Sequence, residues 1–139
     1  MQVQVQPYLF FEGRCEEAIE YYRKALDAKV ERVMRYKESP QPPMPGHQVP
    51  GDKVMHASFR IGETQVLASD GFANGKPKFE GFSLTITARD DAHAKRLFGA
   101  LADGGKVTQP LTKTFFATSF GMVTDKFGMN WMVIAGQPE

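Results

Sequence analysis

The stretch PYLFFEGRCEEAIEYYRKAL, residues 7–26, joins a strand pattern to a helix pattern through one short turn. The strand prediction runs from Val3 to Phe11, which is rich in β-branched and aromatic residues, and Gly13 ends it. Apolar residues then recur at spacings of three and four, which predicts a helix packed on one side at about residues 15–27. These apolar positions are Ala18, Ile19, Tyr22, Ala25 and Leu26. The stretch therefore predicts a strand followed directly by an amphipathic helix.

The same order of elements returns in the second half of the chain. The letters KALDAKV at residues 24–30 are echoed by GALADGGKV at residues 99–107, which starts within a second helix predicted at about 90–103 and runs past its end. We interpret this as an internal duplication of a βαβββ unit of roughly 60 to 70 residues. The remaining predicted strands are Val30–Tyr36, Val54–Ile61, Thr64–Ser69, Phe82–Thr87, Val107, Thr114–Thr124 and Met129–Ile134.

The domain prediction is a single domain over residues 1–139, with one module at about 1–72 and a second at about 79–139. A glycine-rich linker at 71–81 joins the two modules. The segment from 39 to 53 carries five prolines, which remove backbone donors, so it is predicted to be a long loop.

Composition excludes several classes of function. The chain is 42% hydrophobic and 24% charged, and its 17 Lys and Arg residues nearly balance 16 Asp and Glu residues. With no basic block to neutralise a row of phosphates, nucleic acid is not expected as a partner. No stretch approaches the roughly 20 apolar residues of a membrane span, and no positively charged leader opens the chain, so we expect no membrane and a cytoplasmic location. The single cysteine, Cys15, excludes an internal disulfide and argues against a thiolate metal site.

Three strings carry a resemblance to a known family: PYLFF at 7–11, MHASFRIGETQVLASD at 55–70 and ATSFGMVTDKFGMNWMV at 117–133. Together with the paired βαβββ pattern, they resemble the vicinal oxygen chelate superfamily, which includes glyoxalases, bleomycin-resistance proteins and extradiol dioxygenases. Within it they resemble the PhnB-like branch, often labelled demethylubiquinone-methyltransferase-like. The sequence has no GxGxxG turn after a strand, so its residues do not support the methyltransferase label.

The resemblance implies an α+β fold of two βαβββ modules that form a curled, half-open barrel, with the helices outside and a cup inside. In metal-bearing members, four ligands point into this cup. The corresponding positions are Pro7, Ala68, Ser83 (or Phe82, if the register slips) and Met132. Hard divalent metals prefer carboxylate oxygen or imidazole nitrogen, so we expect no metal at these positions and no cofactor. Like other small members, the protein is expected to be a homodimer.

Strand alternation suggests which side chains enter the cup. In MHASFRIG, alternation places Met55, Ala57, Phe59 and Ile61 under the helix, and His56, Ser58 and Arg60 in the cup. The same argument points Ser83, Thr85 and Asn130 inward. We expect walls formed by Leu9, Phe11, Phe115, Phe116 and Met132. A few polar groups converging among such walls are typical of a small-molecule pocket.

The candidate residues have alternative roles. His56 could act as a catalytic acid or base, or could be a hydrogen-bonded structural group. Arg60 could hold an anionic ligand, or could pair with an acidic neighbour at the rim. Trp131 is expected in the core, with its indole N–H bonded once. Cys15 is expected to be structural.

Two classes of function follow from the sequence. In the first, the protein binds or sequesters a small molecule without chemistry. In the second, it is a metal-independent enzyme that uses His56 on a small anionic substrate. A metalloenzyme with ligands at new positions is a weaker third possibility. The missing ligand set favours the first class.

Overall fold

The computed structural model describes residues 3–40, 49–73 and 75–136. It contains two helices and eight strands, and the chain divides into two compact units, Met1–Pro77 and Lys78–Glu139. The elements of the first unit are β1 (Tyr8–Phe10), α1 (Cys15–Leu26), β2 (Lys29–Arg35), a short 3-10 helix (Tyr36–Glu38), β3 (Val54–Ile61) and β4 (Thr64–Ser69). The elements of the second unit are β5 (Leu84–Thr87), α2 (Asp91–Ala102), β6 (Lys106–Thr112), β7 (Ser119–Thr124) and β8 (Asn130–Ala135).

Each unit forms a four-stranded mixed sheet with the same topology. The strand order is β1-β4-β3-β2 in the first sheet and β5-β8-β7-β6 in the second. In each sheet the first and last strands of the unit pair in parallel, and the remaining pairs are antiparallel. The predicted α+β class, with two βαβββ units and sheets that do not close, is confirmed.

The core of the first unit lies between α1 and one face of its sheet. Tyr22 of α1 lies between two aromatic rings, with centroid distances of 6.1 Å to Phe11 and 6.0 Å to Phe59. All three side chains are at most 1% exposed. Burying aromatic side chains of this size supplies much of the stability of a small unit. Because Phe59 faces α1, alternation along β3 sends its neighbours in sequence to the opposite face.

A buried carboxylate ties α1 to the sheet. Asp70, directly after β4, is 2% exposed and accepts hydrogen bonds from the backbone N–H groups of Gly13, Cys15 and Val54 at 3.0, 2.7 and 2.6 Å. The N-cap residue of α1, Arg14, makes no side-chain capping bond. Asp70 therefore takes the role that a capping side chain has at other helix starts, where the first N–H groups lack partners.

The second unit packs α2 closely on β7. A Cβ atom at Gly121 would lie 2.6 Å from Cε1 of Phe98 on α2, and 3.1 Å from the Cα of Leu111. The absence of a side chain at Gly121 is what allows this approach. Asp90 is the N-cap residue of α2, and its side chain accepts the N–H of His93 at 2.7 Å.

Strand bounds agree with the prediction for β3 and β4 and differ elsewhere. Strand β1 starts only at Tyr8, and Val3 and Val5 before it are 94% and 96% exposed. Strand β6 runs for seven residues where only Val107 was predicted. Pro110 lies inside β6, and β6 tolerates it because it is an edge strand. Neither helix in the described part of the chain is long and apolar enough to cross a membrane.

Candidate functional site

The first sheet has one face that packs on α1 and one that does not, and we call the second the helix-free face. Directly paired residues in neighbouring strands share a face. Leu9, Ala68 and Ala57 pair across β1, β4 and β3 and lie on the same side as Phe59, toward α1. One row on the helix-free face is Tyr8, Leu67, Ser58 and Arg32, and a second is Gln65, Arg60 and Lys29.

An aromatic pair and a histidine meet on the helix-free face. The rings of Tyr8 and Phe10 stack at 5.0 Å between centroids and 27° between planes, and these residues are 39% and 50% exposed. The Tyr8 hydroxyl lies 3.1 Å from Nδ1 of His56, and the two rings are 5.7 Å apart. Exposed aromatic surface beside a polar group is a common feature of small-molecule sites.

The phenol of Tyr8 stays protonated at neutral pH. Burial raises its pKa above the ordinary value, the nearby Cys15 and Tyr36 raise it further, and a hydrogen bond with Ser69 acts in the opposite direction. A protonated phenol has one hydrogen to donate. When it donates to Nδ1 of His56, the neutral imidazole carries its own hydrogen on Nε2, where a ligand could accept it.

Beside this cluster, polar side chains form a chain of hydrogen bonds. Gln6 donates to Gln65 at 2.6 Å, and Gln65 donates to Glu31 at 2.9 Å. Arg60 donates from Nε to Glu31 at 2.8 Å and from Nη1 to the carbonyl of Glu63 at 3.1 Å. Arg60 and Gln65 hold the pKa of Glu31 below its ordinary value. Of the two roles considered for Arg60, the structure shows pairing with an acidic neighbour.

The predicted placement of Leu9 and Phe11 in the cup is wrong. Both are buried on the α1 side, Leu9 through its pairing with Ala68 and Phe11 through its contact with Tyr22. The side on which these residues lie depends on the register of β1 on β4, and a shift of one residue exchanges the two faces.

Sequence reasoning missed Tyr8 and Phe10 for the same reason. A signal was available, because a tyrosine with a polar tip suits a half-exposed face better than Leu9 does. His56, Ser58 and Arg60 do share one face of β3, although Ser58 is only 6% exposed.

In the second unit, Thr85 and Met132 are direct partners across β5 and β8, and Met122 is the partner of Met132 on β7. Their face is the one away from α2, because Gly121, one position from Met122, faces Phe98. Met132, one of the four positions that correspond to metal ligands in the superfamily, therefore lies between a threonine and a second methionine.

Asn130 shares this face, but its amide is already used. Its Nδ2 donates to the carbonyls of Phe79 and Phe82 at 3.2 and 3.5 Å, and its Oδ1 accepts the hydroxyl of Thr124 at 2.8 Å. Asn130 thus fastens the segment before β5 to β8. Ser83 lies in that segment, outside the strand predicted to contain it.

Phe115 and Phe116 lie between β6 and β7, outside both strands. Phe115 is 98% exposed, so it forms no wall. Its ring meets that of Phe116 at 5.2 Å, and Phe116 meets Phe120 at 5.1 Å.

Two residues take the structural roles expected for them. Trp131 is 3% exposed and its indole N–H donates to Asp125 at 2.9 Å. Cys15 is buried, and burial together with the charge of Asp70 raises the pKa of its thiol, so the reactive thiolate is disfavoured.

The residues at the superfamily's metal positions do not fit a metal. Pro7 and Ala68 offer no side-chain donor, and Ala68 faces α1. Met132 offers a thioether and Ser83 a single hydroxyl, which is too few donors for a divalent cation. The described residues also contain no group of three His, Cys, Asp or Glu side chains placed to hold a metal.

Two open βαβββ units define the glyoxalase and bleomycin-resistance class of folds. A glyoxylase/bleomycin resistance protein/dioxygenase domain from Frankia sp. EAN1pec shares this fold, with a TM-score of 0.62 and 15% identity over 99% of this chain and 93% of that one. Residues 3–134 match the family model described as 3-demethylubiquinone-9 3-methyltransferase. The chain therefore belongs to this PhnB-like family of the class.

Closer relatives span nearly the whole chain. Protein YjdN of Escherichia coli is 35% identical over 93% of this chain and 92% of its own length. The crystal structure of protein PA1353 from Pseudomonas aeruginosa is 39% identical, with a TM-score of 0.83 over 99% of this chain and 100% of that one. A PhnB protein from Bacillus cereus, titled a 3-demethylubiquinone-9 3-methyltransferase, is 27% identical with a TM-score of 0.80 over 96% and 100%.

Proposed function

We propose that this protein binds a small organic molecule, without covalent chemistry, on the helix-free face of its first sheet. The observation that carries the proposal is the stacked, half-exposed pair Tyr8 and Phe10, with His56 bonded to the Tyr8 hydroxyl. The rings offer a flat apolar surface, and the imidazole offers a polar group beside it. Ligand sites combine these two features because apolar area gives affinity and a few polar groups fix orientation.

The residues favour binding over the methyl transfer in the family's description. A strand-to-helix turn that holds an anionic cofactor group does so with free N–H groups at the helix start. In the first unit, the N–H groups of Gly13 and Cys15 are already bonded to Asp70. The proposal therefore rests on the helix-free face and not on the family's description.

A screen by thermal unfolding tests the proposal. Phosphonates, quinones, dicarbonyls and aromatic antibiotics would each be added to the purified protein. A ligand at a hundred times its Kd stabilises the folded state by about 2.7 kcal/mol, which raises the Tm of a domain of this size by on the order of 10 °C. We expect aromatic compounds to give such a shift.

Two matched variants locate the effect. Phe10→Ser removes an exposed ring of the proposed site, and Phe115→Ser removes an exposed ring outside it. We expect the first to abolish the shift and the second to retain it. A shift that survives in Phe10→Ser, or that is lost in Phe115→Ser, would contradict the proposed site.

A second candidate function is a metal-independent enzyme. The observation that favours it is the same phenol–imidazole contact of 3.1 Å, because Tyr8 and His56 together could move a proton on a small anionic substrate. His56→Gln separates the two functions. Under the binding proposal it changes affinity alone, whereas an enzyme would lose turnover of a bound compound.

We also propose that the protein is a homodimer in the cytoplasm. One buried cysteine suits a reducing compartment, and open sheets leave edge strands that a second copy could cover. Light scattering at micromolar concentration should give twice the chain mass of 15.5 kDa. A mass equal to that of one chain would contradict the dimer.

A further inference from the structure

The helix-free face carries three cationic side chains on β2 and β3, and they differ in their partners. Arg60 is paired with Glu31 at 2.8 Å. Arg32 and Lys29 form no ion pair within residues 3–40, 49–73 and 75–136. In the strand register, Arg32 lies directly opposite Ser58, whereas Lys29 lies opposite Arg60, farther from His56.

A bulge in β2 explains why Arg32 is left available. The register shifts between Val30 and Arg32, so Glu31 is the extra residue. A bulge re-aims side chains, and here Glu31 lies on the helix-free face, where it accepts from Arg60 and Gln65. Arg32 follows on the same face through its pairing with Ser58. The single carboxylate of this stretch thus neutralises Arg60 and leaves the charge of Arg32.

Arg32 lies close enough to His56 for one ligand to reach both. The strand partners of His56 and Ser58 are Met34 and Arg32, so Arg32 is the diagonal neighbour of His56. Such neighbours are about 7–8 Å apart between Cα atoms, within reach of a long side chain. Tyr8 lies in the same cross-strand row as Arg32, at the opposite edge of the sheet.

We propose that the site takes a planar aromatic anion, whose ring lies on Tyr8 and Phe10 and whose acidic group is held by Arg32, with His56 as a second donor. A guanidinium suits this role because it stays charged and presents a planar fork to a carboxylate. This proposal rests on the proposed function, and it transfers the anion-binding role from Arg60 to Arg32.

Two probes and two matched variants test the proposal. The probes are 2-naphthoate and 2-naphthalenemethanol, which share a ring system and differ in charge. Wild-type protein should bind the naphthoate at least tenfold more tightly, and the difference should shrink as salt is added. Arg32→Met should weaken naphthoate binding about tenfold to a hundredfold and leave binding of the alcohol within about threefold.

Lys29→Met is the control, since it removes a cation from the same face, farther from His56, without breaking the Arg60–Glu31 pair, and it should change naphthoate binding by less than about threefold. Loss of the naphthoate preference in Lys29→Met, or its retention in Arg32→Met, would overturn the assignment. If the alcohol binds and the naphthoate binds no better, the aromatic anion is wrong and the binding function stands. If neither probe binds, both proposals fail.

Discussion

At the scale of single residues, Asp70 shows how one side chain can join three segments. Its carboxylate is buried and bonded to N–H groups at the start of α1 and at the start of β3. Asp70 is the acceptor that the structure shows for these groups, and a buried N–H without a partner costs free energy. Asp70 therefore fixes the position of α1, and with it the face on which Tyr22 packs.

Asp70→Asn tests this role with almost no change in volume. An amide has one acceptor oxygen and one NH2 donor, so a donor would face at least one backbone N–H. We expect the free energy of unfolding to fall by about 2–3 kcal/mol, measured by urea denaturation. Asp103→Asn, at an exposed position after α2, should change it by less than about 0.5 kcal/mol. Equal effects in the two variants would contradict the assigned role.

His93 is a second residue whose protonation state matters. Burial lowers its pKa below the ordinary value, and the charges of Arg89 and Arg96 lower it further. In the neutral form, Nδ1 accepts the N–H of Arg89 at 3.0 Å at the start of α2. A proton on Nδ1 removes this acceptor. Folding therefore favours neutral His93.

The sign of the pH dependence follows from the lowered pKa. The contribution of His93 to stability is fully present above the ordinary pKa of about 6.5 and is lost as the pH falls through the lower folded value. We expect an NMR titration of the folded protein to give His93 a pKa below 6.5. His93→Gln should lose less stability than the wild type between pH 7.5 and pH 5. A folded pKa above the ordinary value would contradict this account.

At the scale of elements, the contact of α2 with β7 depends on glycine. A methyl group at Gly121 would overlap the ring of Phe98 and press on the backbone of Leu111. Gly121→Ala should therefore lower the free energy of unfolding by about 1–3 kcal/mol through overpacking.

Gly99→Ala is the matched control within α2. A Cβ atom there has no neighbour within 4 Å. The same substitution should raise the free energy of unfolding by up to about 1 kcal/mol, because alanine has the higher helix propensity. Thermal or urea unfolding of both variants measures whether each substitution raises or lowers the free energy of unfolding. A stabilising Gly121→Ala would show that α2 is packed less closely than described.

The elements also show what the sequence could predict. Helix α1 and strands β3 and β4 follow from their periodicity, because each has an uninterrupted apolar pattern. Strand β6 does not, because Pro110 reads as a breaker and only the topology shows that the strand lies at an edge. The bulge at Glu31 leaves no local signal either, since it depends on the register of β2 against β3.

The candidate site was predictable only in part. Alternation along β3 is local, so His56 and Arg60 could be placed on one face from sequence. The side on which Tyr8 and Phe10 lie depends on how β1 pairs with β4, more than fifty residues away. The partner of Arg60, Glu31, lies on another strand. The sequence could therefore place His56 and Arg60 on one face of β3, but it could not show that Glu31 pairs with Arg60.

At the scale of the whole molecule, the two sheets have the same strand order but different surfaces. The helix-free face of the first sheet carries Tyr8, Phe10 and His56, whereas the matching face of the second carries Thr85 and Met132. The strand order is thus the same in both units, and the aromatic rings and imidazole of the proposed site lie in the first. The account predicts that the units contribute unequally to binding.

Chemical-shift mapping on the 15N-labelled protein tests this central claim most directly. On titration with 2-naphthoate, the account predicts that the amides that shift most lie in the first sheet, in β1, β2, β3 and β4, at residues 8–10, 29–35, 54–61 and 64–69. The largest shifts should surround His56 and disappear in the Phe10→Ser variant. Shifts centred on β5 and β8, at residues 84–87 and 130–135, or shifts unchanged by Phe10→Ser, would contradict the proposed site.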